Sequence, residues 1–378
     1  MRILIVMTGF FPGQKFGGPP VSVDNFCSLM DEHDCYIVTR NHDMGDTEPY
    51  SNIEPGWNTR NNCKVMYLSD KEYCYKNYEA VINEIHPDII YLQGLFQNCI
   101  IPCLFLAKRY QIPVLLAPRG ELCAGAFKKK YKKIPYIIFL KMFGLLDIVH
   151  FQSTSDEETR AIIKHLQVES LRVDLLGNVP SIAERRNVEN PKKPGQARCI
   201  FLSRIVSKKN LLSVIEYMFN IKGLVQLDIY GAIEDEKYWD ECKKKISLLP
   251  ANIQTEYKGL VNHERVHDTF RKYDVFIFPT QSENFGHVIA EALMVGCPVI
   301  ISDQTPWSDV ALVEGGWSIP LDKPEEYVHA IQEIIDADDS KEKEYKENIQ
   351  GYIQEKLNLK DLKGKYNSCL EKMVVVNK

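Results

Sequence analysis

Ser282-Glu283-Asn284-Phe285-Gly286-His287-Val288-Ile289-Ala290-Glu291-Ala292-Leu293 leads through Met294-Val295-Gly296-Cys297 into the apolar run Pro298-Val299-Ile300-Ile301-Ser302. The first stretch predicts a helix that opens at Gly286 and closes near Gly296, and the second predicts a buried strand. A helix leaves its first amides without intrahelical acceptors and is electrically positive there, so Phe285-Gly286-His287-Val288 forms a turn able to receive a phosphate. Gly286 lets a ligand come close to the backbone. Glu283, on the loop before the helix, is placed to accept hydrogen bonds from sugar hydroxyls. Glu291, eight residues further on, is placed to do the same for a ribose diol. Either carboxylate alone reads most simply as solvated surface, because charged helix faces usually are. Together they describe a sugar-nucleotide pocket, since Glu291 is embedded in Val288, Ile289, Ala290, Ala292, Leu293, Met294 and Val295. That run suits a buried helix, and a buried carboxylate needs a partner.

Partners of the right sign stand in Phe201-Leu202-Ser203-Arg204-Ile205-Val206-Ser207-Lys208-Lys209-Asn210. Cys199 to Leu202 reads as a strand and Leu211 to Tyr217 as a helix. The loop between them therefore leaves the carboxyl end of a strand, where open parallel sheets bind ligands. Arg204 offers a fork of donors and Lys209 a point charge, both suited to a diphosphate. The plain alternative is a basic surface loop. Thr305-Pro306-Trp307 reads either as a border of the same site or as packing.

Short apolar or β-branched runs at Arg2 to Met7, Cys35 to Thr39, Lys64 to Leu68, Ile89 to Gln93, Pro113 to Ala117 and Ile148 to Gln152 alternate with helical stretches. Further strands resume at Cys199, Val225, Thr255, Val275 and Val299. This alternation predicts parallel sheets with crossover helices, an α/β class. Glu184-Arg185-Arg186 and Pro191-Lys192-Lys193-Pro194-Gly195 mark a linker. The expected organisation is a first domain over 1–178, a linker over 179–197, a second domain over 198–355 and a final segment over 356–378. The charged tail from Pro324 to Lys365 reads as helical, with Asp336-Ala337-Asp338 a solvated helix end.

At 378 residues, with 45% hydrophobic and 26% charged residues, the composition is that of a globular protein of two domains. A net charge of −5 argues against nucleic acid as a partner. Eleven scattered cysteines without a C-x-x-C pair suit reduced thiols in a cytoplasmic protein better than disulfides or a zinc site. The run Ile3 to Phe11 reads as a first buried strand rather than a leader, because no small-residue cleavage site follows. No stretch reaches the roughly 20 apolar residues needed to span a bilayer. The absence of G-x-G-x-x-G after the first strand disfavours a dinucleotide oxidoreductase.

Taken in order, several segments resemble one family. They are Arg2 to Met7 leading into Gly17-Gly18, Leu176-Gly177-Asn178-Val179, the Ser203-Arg204 to Lys208-Lys209 loop, Leu227-Asp228-Ile229-Tyr230-Gly231, Tyr257-Lys258-Gly259-Leu260-Val261, Asp274-Val275-Phe276-Ile277-Phe278-Pro279-Thr280, and the block from Glu283 to Pro298. The family is the retaining GT-B glycosyltransferases with the E-x7-E signature, which include bacterial enzymes of surface-polysaccharide assembly. The resemblance implies two Rossmann-like domains facing each other across a cleft, with the last helix returning to the first domain. It implies transfer of a sugar, with retention, from a nucleoside-diphosphate sugar to a hydroxyl of a saccharide acceptor. The donor is taken as a UDP-sugar and the acceptor as lipid-linked, in O-antigen, capsule or exopolysaccharide assembly. No cofactor and no metal are expected.

By the same resemblance, Arg204 and Lys209 neutralise the leaving diphosphate, Glu283 holds the donor sugar and Glu291 the ribose. The backbone of Asn284, Phe285, Gly286 and His287 binds sugar and phosphate. Ser203, Tyr230, Gly231, Lys258, Gly259 and Val261 border the nucleotide, and Gly17 and Gly18 form a glycine loop that closes on the donor. Ser203 and Asn210 stand where glycines are usual. Arg119 and Glu121 of Ala117-Pro118-Arg119-Gly120-Glu121 stand where many members carry a His, and are assigned to the acceptor side. A phosphorylase or epimerase of the same architecture, or a silent sugar-nucleotide or membrane-surface binding protein, would use the same residues. The first would need inorganic phosphate, the second no acceptor, and the third would turn nothing over.

Lys128-Lys129-Lys130-Tyr131-Lys132-Lys133 precedes Ile134-Pro135-Tyr136-Ile137-Ile138-Phe139-Leu140. Such a run attracts anionic lipid at roughly 1 kcal/mol per basic residue, giving peripheral attachment at the inner face of the cytoplasmic membrane. The alternative is a basic loop followed by a core helix.

Overall fold

The computed structural model describes residues 1–123, 126–127, 130–180 and 192–376. They divide into two compact units, Met1–Val179 with Leu359–Lys378, and Pro180–Asn358. The first unit carries strands β1 (Arg2–Val6), β2 (Asp34–Arg40), β3 (Trp57–Arg60), β4 (Cys63–Leu68), β5 (Ile89–Gln93), β6 (Val114–Ala117), β7 (Val149–Ser153) and β8 (Val173–Leu175). They bond in the order β3-β4-β2-β1-β5-β6-β7-β8. Helices α1 (Gly18–Leu29), α2 (Tyr75–Ile85), α3 (Ile100–Tyr110), α4 (Lys130–Met142) and α5 (Asp156–Leu166) lie between them in sequence. β5 and β6 are buried along their whole length, as a parallel sheet covered on both faces requires. The sheet is not wholly parallel: Trp57-Asn58-Thr59-Arg60 pairs antiparallel with β4 as a half-exposed edge.

The second unit holds β9 (Gln196–Leu202), β10 (Leu224–Tyr230), β11 (Ile253–Gly259), β12 (Val275–Phe278), β13 (Val299–Ser302) and β14 (Gly316–Ile319). They are all parallel, in the order β11-β10-β9-β12-β13-β14. β9 starts at Gln196, inside the segment expected as linker. Helices α6 (Leu211–Met218), α7 (Glu236–Ile246), α8 (Val266–Phe270), α9 (His287–Met294), α10 (Pro324–Asp336) and α11 (Asp339–Leu357) complete it. Asp338 caps α11, its side chain accepting from the Lys341 amide at 2.9 Å.

The last helix, α12 (Leu359–Val376), belongs to the first unit. Its Tyr366, Cys369, Leu370 and Met373 join Phe26 and Tyr91 in that unit's core. The Tyr366 hydroxyl receives a bond from Gln152 at 2.7 Å and donates to the Gly177 carbonyl at 3.0 Å. All eleven cysteines are free thiols. Among the described residues no helix is long and apolar enough to cross a membrane.

Candidate functional site

In the second unit the chain runs outward from β9 through β10 to β11 and then returns to β12 on the other side of β9. Ligands of open α/β sheets bind outside the carboxyl ends of strands at such a reversal. The two loops that leave β9 and β12 are stitched together there. The Gln281 amide donates to the Lys208 carbonyl at 2.9 Å, and Asn210 Nδ2 donates to the Pro279 carbonyl at 3.0 Å. Asn210 adopts φ 63°, the left-handed region that Asn tolerates.

The stitching brings Lys209 onto Glu283. Their side chains form an ion pair, and the same carboxylate accepts from Thr280 Oγ1 at 3.1 Å. Lys209 is only 9% exposed, and its burial pushes the ammonium's pKa down while Glu283 opposes the shift. Arg204 is exposed and its Nη1 lies 2.9 Å from Glu234 Oε1. Contrary to the expectation from sequence, both cations pair with other carboxylates, Lys209 with Glu283 and Arg204 with Glu234. Glu291, 6% exposed, faces His263 Nδ1 at 3.6 Å. Sequence reading missed Glu234 and His263. Glu234 stands in a loop, and His263 heads a single 3-10 turn, so neither carries a periodic signal.

The turn that opens α9 is held from beneath. Gly286 adopts φ 78° and ψ 58°, and the Ile289 and Ala290 amides bond back to its carbonyl at 2.9 and 3.2 Å. The Trp307 indole N–H donates to the Phe285 carbonyl, with the two rings 5.5 Å apart. Trp307 and Thr305 are buried, 1% and 7% exposed, so they pack under the turn and fix it, while Pro306 between them is exposed. The His287 ring lies 4.7 Å from that of Phe285. Asn284, between them and Glu283, is exposed.

Beside this turn the ends of β9, β10 and β11 converge. The Ser203 amide donates to the Tyr230 carbonyl at 3.0 Å and the Gly231 amide to the Gly259 carbonyl at 2.8 Å. A Cβ on Gly231 would lie 1.8 Å from the Ser203 carbonyl oxygen, so only glycine permits the approach. The Tyr230 hydroxyl lies 3.0 Å from that of Tyr273, which donates to Asp228 at 2.6 Å. Lys258 is exposed and paired with Glu256, whereas Val261 packs against the core.

The sequence-predicted residues of the first unit also meet at a reversal, because β1 lies between β2 and β5. A cavity of about 310 Å³ opens at the carboxyl ends of these strands and β6, lined among others by Phe16, Pro19, Arg40, His42, Gln93, Gln97, Arg119 and Glu121. Gly17, at φ 73°, and Gly18 lie between Phe16 and Pro19 at the start of α1. Arg119 adopts φ 55° and donates through Nε to Gln93 at 2.8 Å and through Nη2 to the Tyr91 hydroxyl at 3.3 Å. Its Nη1 bonds to Asn178. Glu121 accepts from the Leu95 and Phe96 amides and from Gln97 Nε2, so its carboxylate fastens the loop after β5. The polar lining from Arg40, His42, Gln93 and Gln97 comes from the ends of two strands, β2 and β5, and the loops that follow them, and was not foreseen.

The two units have the architecture of GT-B glycosyltransferases. Residues 183–352, slightly less than half of the chain and all within the second unit, match the family described as Glycosyl transferases group 1. The structure is similar to that of Anabaena Alr3699/HepE in complex with UDP and glucose, with a TM-score of 0.70 and 13% identity over 98% of this chain and all of that one. It is likewise similar to WaaG, a glycosyltransferase involved in lipopolysaccharide biosynthesis, with a TM-score of 0.64 and 14% identity over 98% of this chain and 99% of that one. Among curated proteins, a 41.2 kDa protein encoded in the cps region of Klebsiella pneumoniae is 24% identical over 57% of this chain and 60% of its own length. The GtfA subunit of the UDP-N-acetylglucosamine–peptide N-acetylglucosaminyltransferase of Streptococcus agalactiae is 24% identical over 46% of this chain. That match spans about a third of the relative, 35%.

Proposed function

We propose that this protein is a retaining, metal-independent glycosyltransferase that moves a hexosyl or N-acetylhexosaminyl group from a UDP-sugar to a hydroxyl of a saccharide acceptor. The observation that carries the reading is the ion pair of Lys209 and Glu283 at the reversal between β9 and β12, beside the amino end of α9. There a cation, a carboxylate and a helix terminus converge where a sugar diphosphate needs all three. Glu283 accepts from the donor sugar, and Lys209 and Arg204 take up the charge that develops on the leaving diphosphate. Glu291, steadied by His263, accepts from the ribose. The acceptor hydroxyl attacks from the face that the diphosphate leaves, and a leaving phosphate oxygen takes its proton. Arg119 and the cavity of the first unit form the acceptor half-site. The UDP of the HepE complex and the cps and lipopolysaccharide settings of the relatives support a UDP-sugar donor and a role in surface-polysaccharide assembly.

Thermal unfolding with UDP, GDP, CMP and NAD, all in EDTA, tests this reading. A ligand at about a hundred times its dissociation constant adds about 2.7 kcal/mol of stability. Stabilisation by UDP that Glu291→Ala abolishes is the expected result. Stabilisation by GDP alone would replace the base, and no response to any diphosphate nucleotide would refute the assignment.

A further inference from the structure

We infer that the outer face of α4 is a docking surface for an anionic lipid bilayer, which holds the first unit's cavity beside the membrane. α4 is apolar on two opposite sides. One side is core: Ile137 and Leu140 are 5% and 0% exposed. Lys133 turns inward on that side, its ammonium donating to the Glu121 and Ala126 carbonyls at 2.8 and 3.1 Å and lying 4.4 Å from the Phe96 ring. The opposite side carries Tyr131, Ile134, Ile138 and Met142, which are 72%, 45%, 56% and 71% exposed. Spaced three, four and four residues apart, these four form one row along the helix. A surface helix normally presents charge on that side, so a continuous row of large apolar groups marks a contact surface.

The charges around the row select the occupant. At about 100° per residue, Lys132 falls on one flank of the row and Lys141 on the other. Between Lys128 and Leu146 the sequence holds six lysines and no Asp or Glu; Lys128 and Lys129 lie outside the described residues. An apolar row flanked by ammonium groups is the pattern of a helix lying in the plane of a bilayer, with lysine stems along the apolar boundary and their heads among anionic headgroups. A second copy of this chain would set like charges against one another across the same row.

The helix also touches the cavity's lining. Lys133 bonds to the carbonyl of Glu121, a residue of the cavity lining. Resting on the reading of that cavity as the acceptor half-site, the docked helix would present it to an acceptor whose lipid portion stays in the bilayer.

Co-sedimentation of the full-length protein with phosphatidylglycerol–phosphatidylethanolamine vesicles, without nucleotide or acceptor, tests the docking apart from the transferase reading. The protein is expected to bind these vesicles in a salt-sensitive way and not to bind phosphatidylcholine vesicles. The triple variant Ile134→Ser, Ile138→Ser, Met142→Ser and the pair Lys132→Glu, Lys141→Glu each lose about tenfold or more in vesicle affinity. Leu312→Ser, at an 85% exposed leucine of the second unit, leaves it unchanged. In Ile138→Trp, brominated lipid quenches the added fluorescence. Absence of vesicle binding, or undiminished binding by the triple variant, would overturn the inference. So would a dimer in solution that the triple variant abolishes.

Discussion

Lys209 and Glu283 are each other's nearest counter-charge in a largely buried position, and that fixes how their variants behave. Removing one member of such a pair leaves the other without compensation, at a cost of about 3–5 kcal/mol, whereas removing both is far milder. Lys209→Met and Glu283→Gln are each expected to lower stability by roughly 3 kcal/mol, and the double variant by much less than their sum. Urea unfolding of the four proteins measures the coupling; additive losses would mean that the pair is not formed. Arg204 differs because its partner Glu234 is a third exposed, and an exposed pair contributes about 1 kcal/mol or less. Glu234 therefore competes only weakly with a diphosphate for the guanidinium. Glu234→Gln should tighten donor binding, by about fivefold at most. Arg204→Ala should lower turnover by on the order of a hundredfold, as loss of a transition-state donor does. Weaker donor binding in Glu234→Gln would place Glu234 among the ligand contacts instead.

The ends of β9 and β10 set the geometry that these side chains depend on. Gly231 sits at φ 137° with the Ser203 carbonyl where its Cβ would be, so Gly231→Ala forces the two strand ends apart. A loss of about 2–4 kcal/mol is expected, together with weaker nucleotide binding in the folded fraction. Unchanged stability would show that the strands accommodate the methyl group. Elements of this kind were legible in the sequence where burial left a run of apolar residues. Such runs mark β1, β5, β9, β12 and β13, and the apolar period of α9 announced both its burial and its glycine start. The edge strands were not legible. Trp57-Asn58-Thr59-Arg60 and Val173-Asp174-Leu175 are half-solvated and become strands because a neighbour offers a ladder. The candidate site was legible in its residue types but not in its pairings. Which carboxylate meets Lys209, and which backbone amides saturate Glu121, depends on loops about 74 and 25 residues away. Nothing local in the sequence records those meetings. The same holds for α4, whose residues spell apolar content but not that half of it faces outward.

At the scale of the whole chain, the decisive feature is that the two units have separate cores although the chain enters the first unit twice. The second unit's core takes its residues from Ala197 to Leu357 and none from α12. The first unit's core is incomplete without α12, because Tyr366, Leu370 and Met373 cover Phe26, Tyr91 and the sheet beneath. The aromatic contact of Phe26 with Tyr366, at 5.2 Å between ring centroids, and the Gln152 bond to the Tyr366 hydroxyl tie the helix to α1 and β7 together. With separate cores, a loss in one is expected to leave the other largely intact. Leu370→Ala removes a fully buried side chain and should cost the first unit about 2–5 kcal/mol. Hydrogen exchange resolved by peptide reads the consequence: amides of β1, β5 and β6 should lose protection, while those of β9, β12 and β13 keep it. A nucleotide bound at the carboxyl ends of β9 and β12 should then raise protection in the second sheet of this variant as much as in the unaltered protein. Equal loss in both sheets would mean that the two cores unfold together, and the assignment of α12 to the first unit alone would have to be abandoned.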